Sequence, residues 1–102
     1  MNEAQFLAIV DNIINKIYHT IEDNDVECKY DLDLYDGILT FTNENGTYVI
    51  NRQSVAKEIW LSSPISGPYH FALKDAVWCS RTGAELFKVL STELNIAIDN
   101  FN

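Results

Sequence analysis

The sequence predicts an α+β fold, a two-layer sandwich in which two terminal helices pack on one face of a five- to six-stranded antiparallel sheet. Three observations predict it. Apolar residues recur at helical spacing at both ends of the chain. Between them lie short runs rich in Tyr, Val, Ile, Trp and Phe, broken by Gly, Pro, Asn and Ser, the pattern of successive antiparallel strands. Each helix and each run has one apolar face, and the simple solution buries both helices on the greasy side of the sheet and leaves its other side wet. With 102 residues the chain is one domain, residues 1–102.

The first helix is predicted from Asn2 to about Glu22. Asn2 is a good N-cap, and Gln5 three residues on closes a capping box. Phe6, Ile9, Val10, Ile13, Ile17 and Ile21 form the predicted buried stripe, with Asp11, Asn12, Asn15, Lys16 and His19 facing out. Asp23 to Val26 reads as a polar turn. From Glu27 to Leu34 the chain alternates as a half-buried strand, with Cys28, Tyr30, Leu32 and Leu34 inward and Glu27, Lys29, Asp31 and Asp33 outward. Asp36-Gly37 and Asn45-Gly46 are hairpin signals that bound a strand over Ile38–Thr42. Gly46–Gln53, the run around Ile59-Trp60-Leu61 and the run Gly67–Phe71 follow as strands, then Val77-Trp78-Cys79, with Trp78 assigned to the core. Thr82-Gly83-Ala84-Glu85 reads as a second capping box. It opens a helix with a stripe of Leu86, Leu90, Leu94 and Ile98, flanked by Phe87 and Ala97.

The net charge is −8, and all of the excess lies before Asn45, where ten acids face only Lys16 and Lys29. Such a field repels nucleic acid and anionic lipid, and attracts metal cations and basic protein surfaces. No apolar run nears the roughly 18–20 residues of a membrane span. The first five residues lack a positively charged leader, and Cys28 and Cys79 stand far apart without a CxxC partner, so both are expected as reduced core or near-core thiols in the cytoplasm. Ser/His/Asp and Cys/His patterns and phosphate-binding glycine loops are not recognisable, which points away from an enzyme.

Two features carry chemistry. The first is the acidic cluster Glu22, Asp23, Asp25, Glu27, Asp31 and Asp33, a set of hard oxygen donors on open surface. Weak, overlapping, poorly selective binding of hard cations is expected of it; the plain alternative is a solvated face that serves solubility. Repulsion between these groups, two of them against a helix C-terminus, favours a cation or a basic partner. His19 can join Glu22 and Asp23 on one helix face and firm a site for a transition metal. The second feature is the wet sheet face. Asn51, Gln53 and Trp60 are predicted to point outward, with His70 on the same face, and an outward Trp is a common interface anchor.

The blocks Gly46-Thr47-Tyr48-Val49-Ile50-Asn51-Arg52-Gln53, Ile59-Trp60-Leu61-Ser62-Ser63-Pro64 and Ser66-Gly67-Pro68-Tyr69-His70-Phe71 resemble the frataxin family, most of all its short bacterial form. The resemblance extends more loosely over nearly the whole chain and implies the same helix–sheet sandwich. It implies weak binding of ferrous and ferric iron by Glu22, Asp23, Asp25, Glu27, Asp31 and Asp33. It also implies docking through Asn51, Arg52, Gln53 and Trp60 on the cysteine desulfurase and scaffold protein of iron–sulfur cluster assembly. The expected function is therefore an iron-binding regulator, donor or sensor, of cluster assembly. An iron-storage or ferroxidase protein and an acidic docking module without metal are the alternatives. A monomer with iron-dependent oligomers, in a bacterial cytoplasm, completes the expectation. Tyr18, His19 and Lys29 depart from the fully acidic ridge of some bacterial members. The short tail to Asn102, where relatives can cover the gap between the helices, implies modest stability.

Overall fold

The computed structural model describes residues 1–98. Its elements are α1 (Glu3–Asn24), β1 (Asp31–Tyr35), β2 (Ile38–Asn43), β3 (Gly46–Gln53), β4 (Glu58–Ser63), β5 (Gly67–Lys74), β6 (Val77–Cys79) and α2 (Leu86–Leu94). The six strands form one antiparallel sheet in chain order, β1 to β6. Every connection is thus a turn between neighbours. Phe6, Val10, Ile17 and Ile21 of α1 and Leu86 and Leu90 of α2 are completely buried, as are Leu39, Phe41, Tyr48, Ile50, Ile59 and Phe71 of the sheet, in one core. Two helices on one face of a six-stranded sheet is the architecture the sequence predicts.

The first capping box forms as expected. Gln5 N–H donates to Asn2 Oδ1 at 2.8 Å, and Asn2 N–H donates to Gln5 Oε1 at 2.9 Å. The stripe needs one correction. Ile14 is buried, whereas Ile9 is 39% exposed. The helix also runs two residues past Glu22, so Asp23 is helical rather than part of the turn.

A larger correction falls on β1, which begins at Asp31, not Glu27. Asp25 causes this. Its carboxylate accepts from the N–H of Lys29 at 2.6 Å and of Tyr30 at 3.0 Å, while Cys28 N–H donates to the Asp25 carbonyl. Cys28 sits at φ 54°, in the left-handed region, and the segment is wound too tightly to pair with β2. Cys28 is consequently exposed, not a core thiol; Cys79 is half-buried, and both are free thiols.

Asp36 and Gly37, at φ 51° and 74°, make the tight hairpin turn that Asp-Gly signals. Trp78 is core, edge-on to Phe6. The second predicted capping box does not form. Gly83 at φ 89° bends the chain away, and Ser80 does the local capping, its Oγ accepting from Ala84 N–H at 3.1 Å. Glu85 takes the N-cap position of α2 without a side-chain cap. The helix stops at Leu94, where Asn95 turns left-handed. Ile98 lies beyond it and is still buried, held by Ser91 Oγ, which donates to its carbonyl and accepts from its N–H. The tail after Ile98, with Asp99, lies outside the described residues.

Candidate functional site

The acidic cluster forms a ridge along the end of α1, the following turn and β1. Glu22 and Asp23 are exposed at the last turn of α1, Glu27 is exposed in the turn, and Asp31 and Asp33 are exposed on the outward face of β1. Glu22 is tied down on both sides. Tyr18 O–H donates to its Oε2 at 3.2 Å, and His19 Nδ1 lies 3.7 Å from its Oε1, the pair that the three-residue spacing predicts. The Tyr18 phenol is pushed above its ordinary range, first by the hydrogen bond to Glu22, then by Glu22's charge, by burial and by the charge of Asp33. Asp25 stands apart from the other carboxylates, since both its oxygens already hold backbone N–H groups. Lys29 pairs with Glu27 at 3.4 Å. Among the described residues no three His, Cys, Asp or Glu side chains converge on a point where one metal ion could sit. The ridge offers carboxylates singly or in pairs, a chemistry that suits hard cations held loosely.

The outward sheet face is organised by register. Tyr35 pairs with Ile38, Ile38 with Asn51, Asn51 with Trp60 and Trp60 with His70, so these five residues form one row across β1–β5. Trp60 does point outward, and it is half-buried instead of bare. His70 stacks on it with ring centroids 4.1 Å apart and planes 8° from parallel. Its indole N–H donates to Glu58 Oε1 at 2.9 Å, within the same strand. Asn51 Oδ1 is buried in the middle of the row with no hydrogen-bond donor among the described residues. A shallow cavity of about 140 Å³ opens beside the row, lined by Asn51, Trp60, His70 and their neighbours. Gln53 is half-buried at the end of β3, opposite Glu58.

Arg52 lies on the opposite face from Asn51 and Trp60, with which the family resemblance groups it. Strand alternation puts it on the side away from them. There its Nη1 donates to Asp11 Oδ1 at 2.7 Å, and its Nη2 lies 3.8 Å from Asp36 Oδ1. Gly37 makes room for this reach, because a Cβ there would stand 1.7 Å from Arg52 Nη1. Arg52 thus ties α1 to the β1–β2 hairpin. Sequence reasoning also missed Tyr35 and Ile38. The signal was present, since a two-residue Asp36-Gly37 turn fixes those two residues opposite each other.

The frataxin-like domain family matches residues 1–100. The chain belongs to the frataxin family. It is 38% identical to the mitochondrial frataxin homolog of Schizosaccharomyces pombe, over 93% of this chain and 65% of that protein, so it spans about two thirds of that relative's length. Among solved structures, the frataxin of Psychromonas ingrahamii superposes with a TM-score of 0.81 at 26% identity, covering 100% of both chains. A trimeric frataxin of Saccharomyces cerevisiae superposes with a TM-score of 0.77 at 35% identity, over 84% of this chain and 75% of that one. Trimeric yeast frataxin complexed with ferrous iron gives 0.71 at 35% identity, over 93% and 84%. The frataxin family is linked to iron and to iron–sulfur cluster biogenesis. Among the described residues no helix is long and apolar enough to cross a membrane.

Proposed function

We propose that this chain is an iron-binding regulator of iron–sulfur cluster assembly, an iron donor or sensor that docks on a cysteine desulfurase and its scaffold protein. One observation supports this most. The acidic ridge of α1 and β1 runs directly onto the outward face of the sheet, so a cation-holding edge and an aromatic contact surface are parts of one continuous surface. Carboxylates on open surface hold ferrous or ferric iron weakly enough to pass it on. Glu22, Asp23, Glu27, Asp31 and Asp33 are the proposed iron ligands, with His19 beside Glu22; Asp25 is proposed to contribute less, since its oxygens are engaged. Asn51, Gln53, Trp60 and His70 are the proposed docking residues, with Arg52 acting from behind by holding the hairpin. Regulation needs no catalytic group of its own, and a weak ferroxidase activity would be incidental.

The trimeric yeast structures, one complexed with ferrous iron, favour iron-dependent oligomers of a chain that is otherwise a monomer. A bacterial cytoplasm is the proposed compartment, beside a relative described as mitochondrial. The test is anaerobic titration with ferrous iron followed by NMR, together with desulfurase turnover with and without the protein. Amides around Glu22, Asp23, Asp31 and Asp33 should broaden first, and turnover should change. Broadening centred on α2, or turnover indifferent to the protein, would defeat the proposal.

A further inference from the structure

The row Tyr35–Ile38–Asn51–Trp60–His70 has two ends of different character. At the β4–β5 end the aromatic surface is satisfied internally, Trp60 by the His70 stack and by Glu58. At the β1 end it is not. Tyr35 is 76% exposed and Ile38, directly opposite it, is 42% exposed. Both stand on backbone fixed by strand pairing and a tight hairpin, so little backbone freedom remains to be lost when something covers them. Asp33 lies two residues before Tyr35 on the same strand and face, and Asp31 two before that. The neighbouring bases are engaged elsewhere, Lys29 with Glu27, and Arg52 with Asp11 and Asp36 on the opposite side of the sheet. An exposed phenol ring, an aliphatic neighbour and carboxylates along one edge are complementary to a long basic side chain, whose stem covers the ring while its head meets the acid.

We infer that Tyr35 and Ile38 form a second anchor of the docking surface, which takes an arginine or lysine of a basic protein partner against Tyr35 and Asp33. This rests on the docking reading given under Proposed function and extends it by two strands, from β3 across β2 to β1 at the edge of the sheet. The two anchors then sit at opposite ends of one row, with Asn51 between them. Basic residues on a partner would be drawn first to the ridge and then held on Tyr35.

The test uses the full chain and the cysteine desulfurase–scaffold complex as the binding probe, in biolayer interferometry at two salt concentrations. Tyr35→Ser and Ile38→Thr should each weaken binding about five- to tenfold, with an unchanged thermal melt, since neither side chain is core. Tyr35→Phe should bind like the parent, because the ring carries the contact. Asp33→Asn should weaken binding, and should weaken it less in the Tyr35→Ser background, because the two groups hold one side chain. Trp60→Ala runs in parallel. If Trp60→Ala weakens binding and Tyr35→Ser does not, the second anchor is wrong and the docking face stands. If neither matters, or the parent does not bind, both ideas fall.

Discussion

Asp25 shows how a single residue changes meaning between sequence and structure. By composition it is one of six neighbouring carboxylates, and density alone groups it with the ridge. In the fold it gathers two backbone N–H groups and starts β1. That role depends on the path of the chain through residues 25–30, which no alternation pattern encodes; the pattern in fact suggests a strand there. A charge-assisted bond to a backbone amide is worth more than a neutral one. Asp25→Ala should therefore destabilise the domain by about 1–3 kcal/mol, from the loss of hydrogen bonds to a charged group. Asp23→Asn and Asp31→Asn, at exposed positions without such a duty, should leave stability equal or slightly higher. Urea denaturation of the three variants separates these outcomes, and equal losses at all three would refute the distinction. Trp60 was legible in the other way. Its outward direction follows from alternation with Ile59 and Leu61, whereas the cover over it depends on His70 one strand away, and so on register.

At the scale of elements, one acid adds polar ties between α2 and the sheet to the burial of its apolar stripe. Glu93 accepts from Tyr48 O–H at 2.9 Å, from Ser63 Oγ at 2.5 Å and from Ser66 Oγ at 2.5 Å, so the helix is bonded to β3, to β4 and to the β4–β5 turn. Tyr48 is completely buried, and its phenol stays protonated up to about 12, first through burial, then through the hydrogen bond to Glu93 and its charge. An unfolded tyrosine ionises near 10. The stability that Tyr48 contributes is thus fully present below pH 10 and is lost as pH rises toward about 12, because the unfolded chain releases the proton first. Tyr48→Phe should cost about 1.5–3 kcal/mol at neutral pH, the range of a hydrogen bond to a charged group, and should fall less than the parent between pH 10 and about 12. Thermal melts across that range decide it; parallel losses in both proteins would count against this role. The helix itself was legible from its stripe of Leu86, Leu90 and Leu94. Its start was not, because Thr82 and Glu85 have capping-box spacing while Gly83 diverts the backbone, and its anchor was not, because Tyr48 and Glu93 lie 45 residues apart.

Across the whole molecule, the main electrostatic feature is a net charge of −8 whose excess lies before Asn45, in α1, the following turn, the β1–β2 hairpin and the turn after β2. Clustered like charges repel in the compact state more than in the unfolded chain, where they are further apart. Favourable pairs do little against this. Lys88–Glu85 at 2.8 Å and Lys29–Glu27 at 3.4 Å are surface pairs, of a kind worth roughly 0–1 kcal/mol. Screening should therefore stabilise the fold, since the Debye length shrinks to about 10 Å at 0.1 M salt. Divalent cations should do more at equal ionic strength, because the proposed sites on the folded ridge would bind them in addition to the screening. Calcium, a hard cation free of redox chemistry, is the suitable probe. A gain of about 1 kcal/mol corresponds to a Tm increase of about 4–8 °C in a domain of this size. The combined variant Asp23→Asn, Asp31→Asn, Asp33→Asn should start with a higher Tm than the parent and respond less to both salt and calcium. Melts of parent and variant, at fixed ionic strength with sodium or calcium, separate screening from binding. A parent that is indifferent to both ions, or a variant that gains as much as the parent, would remove the ridge as the source of the strain.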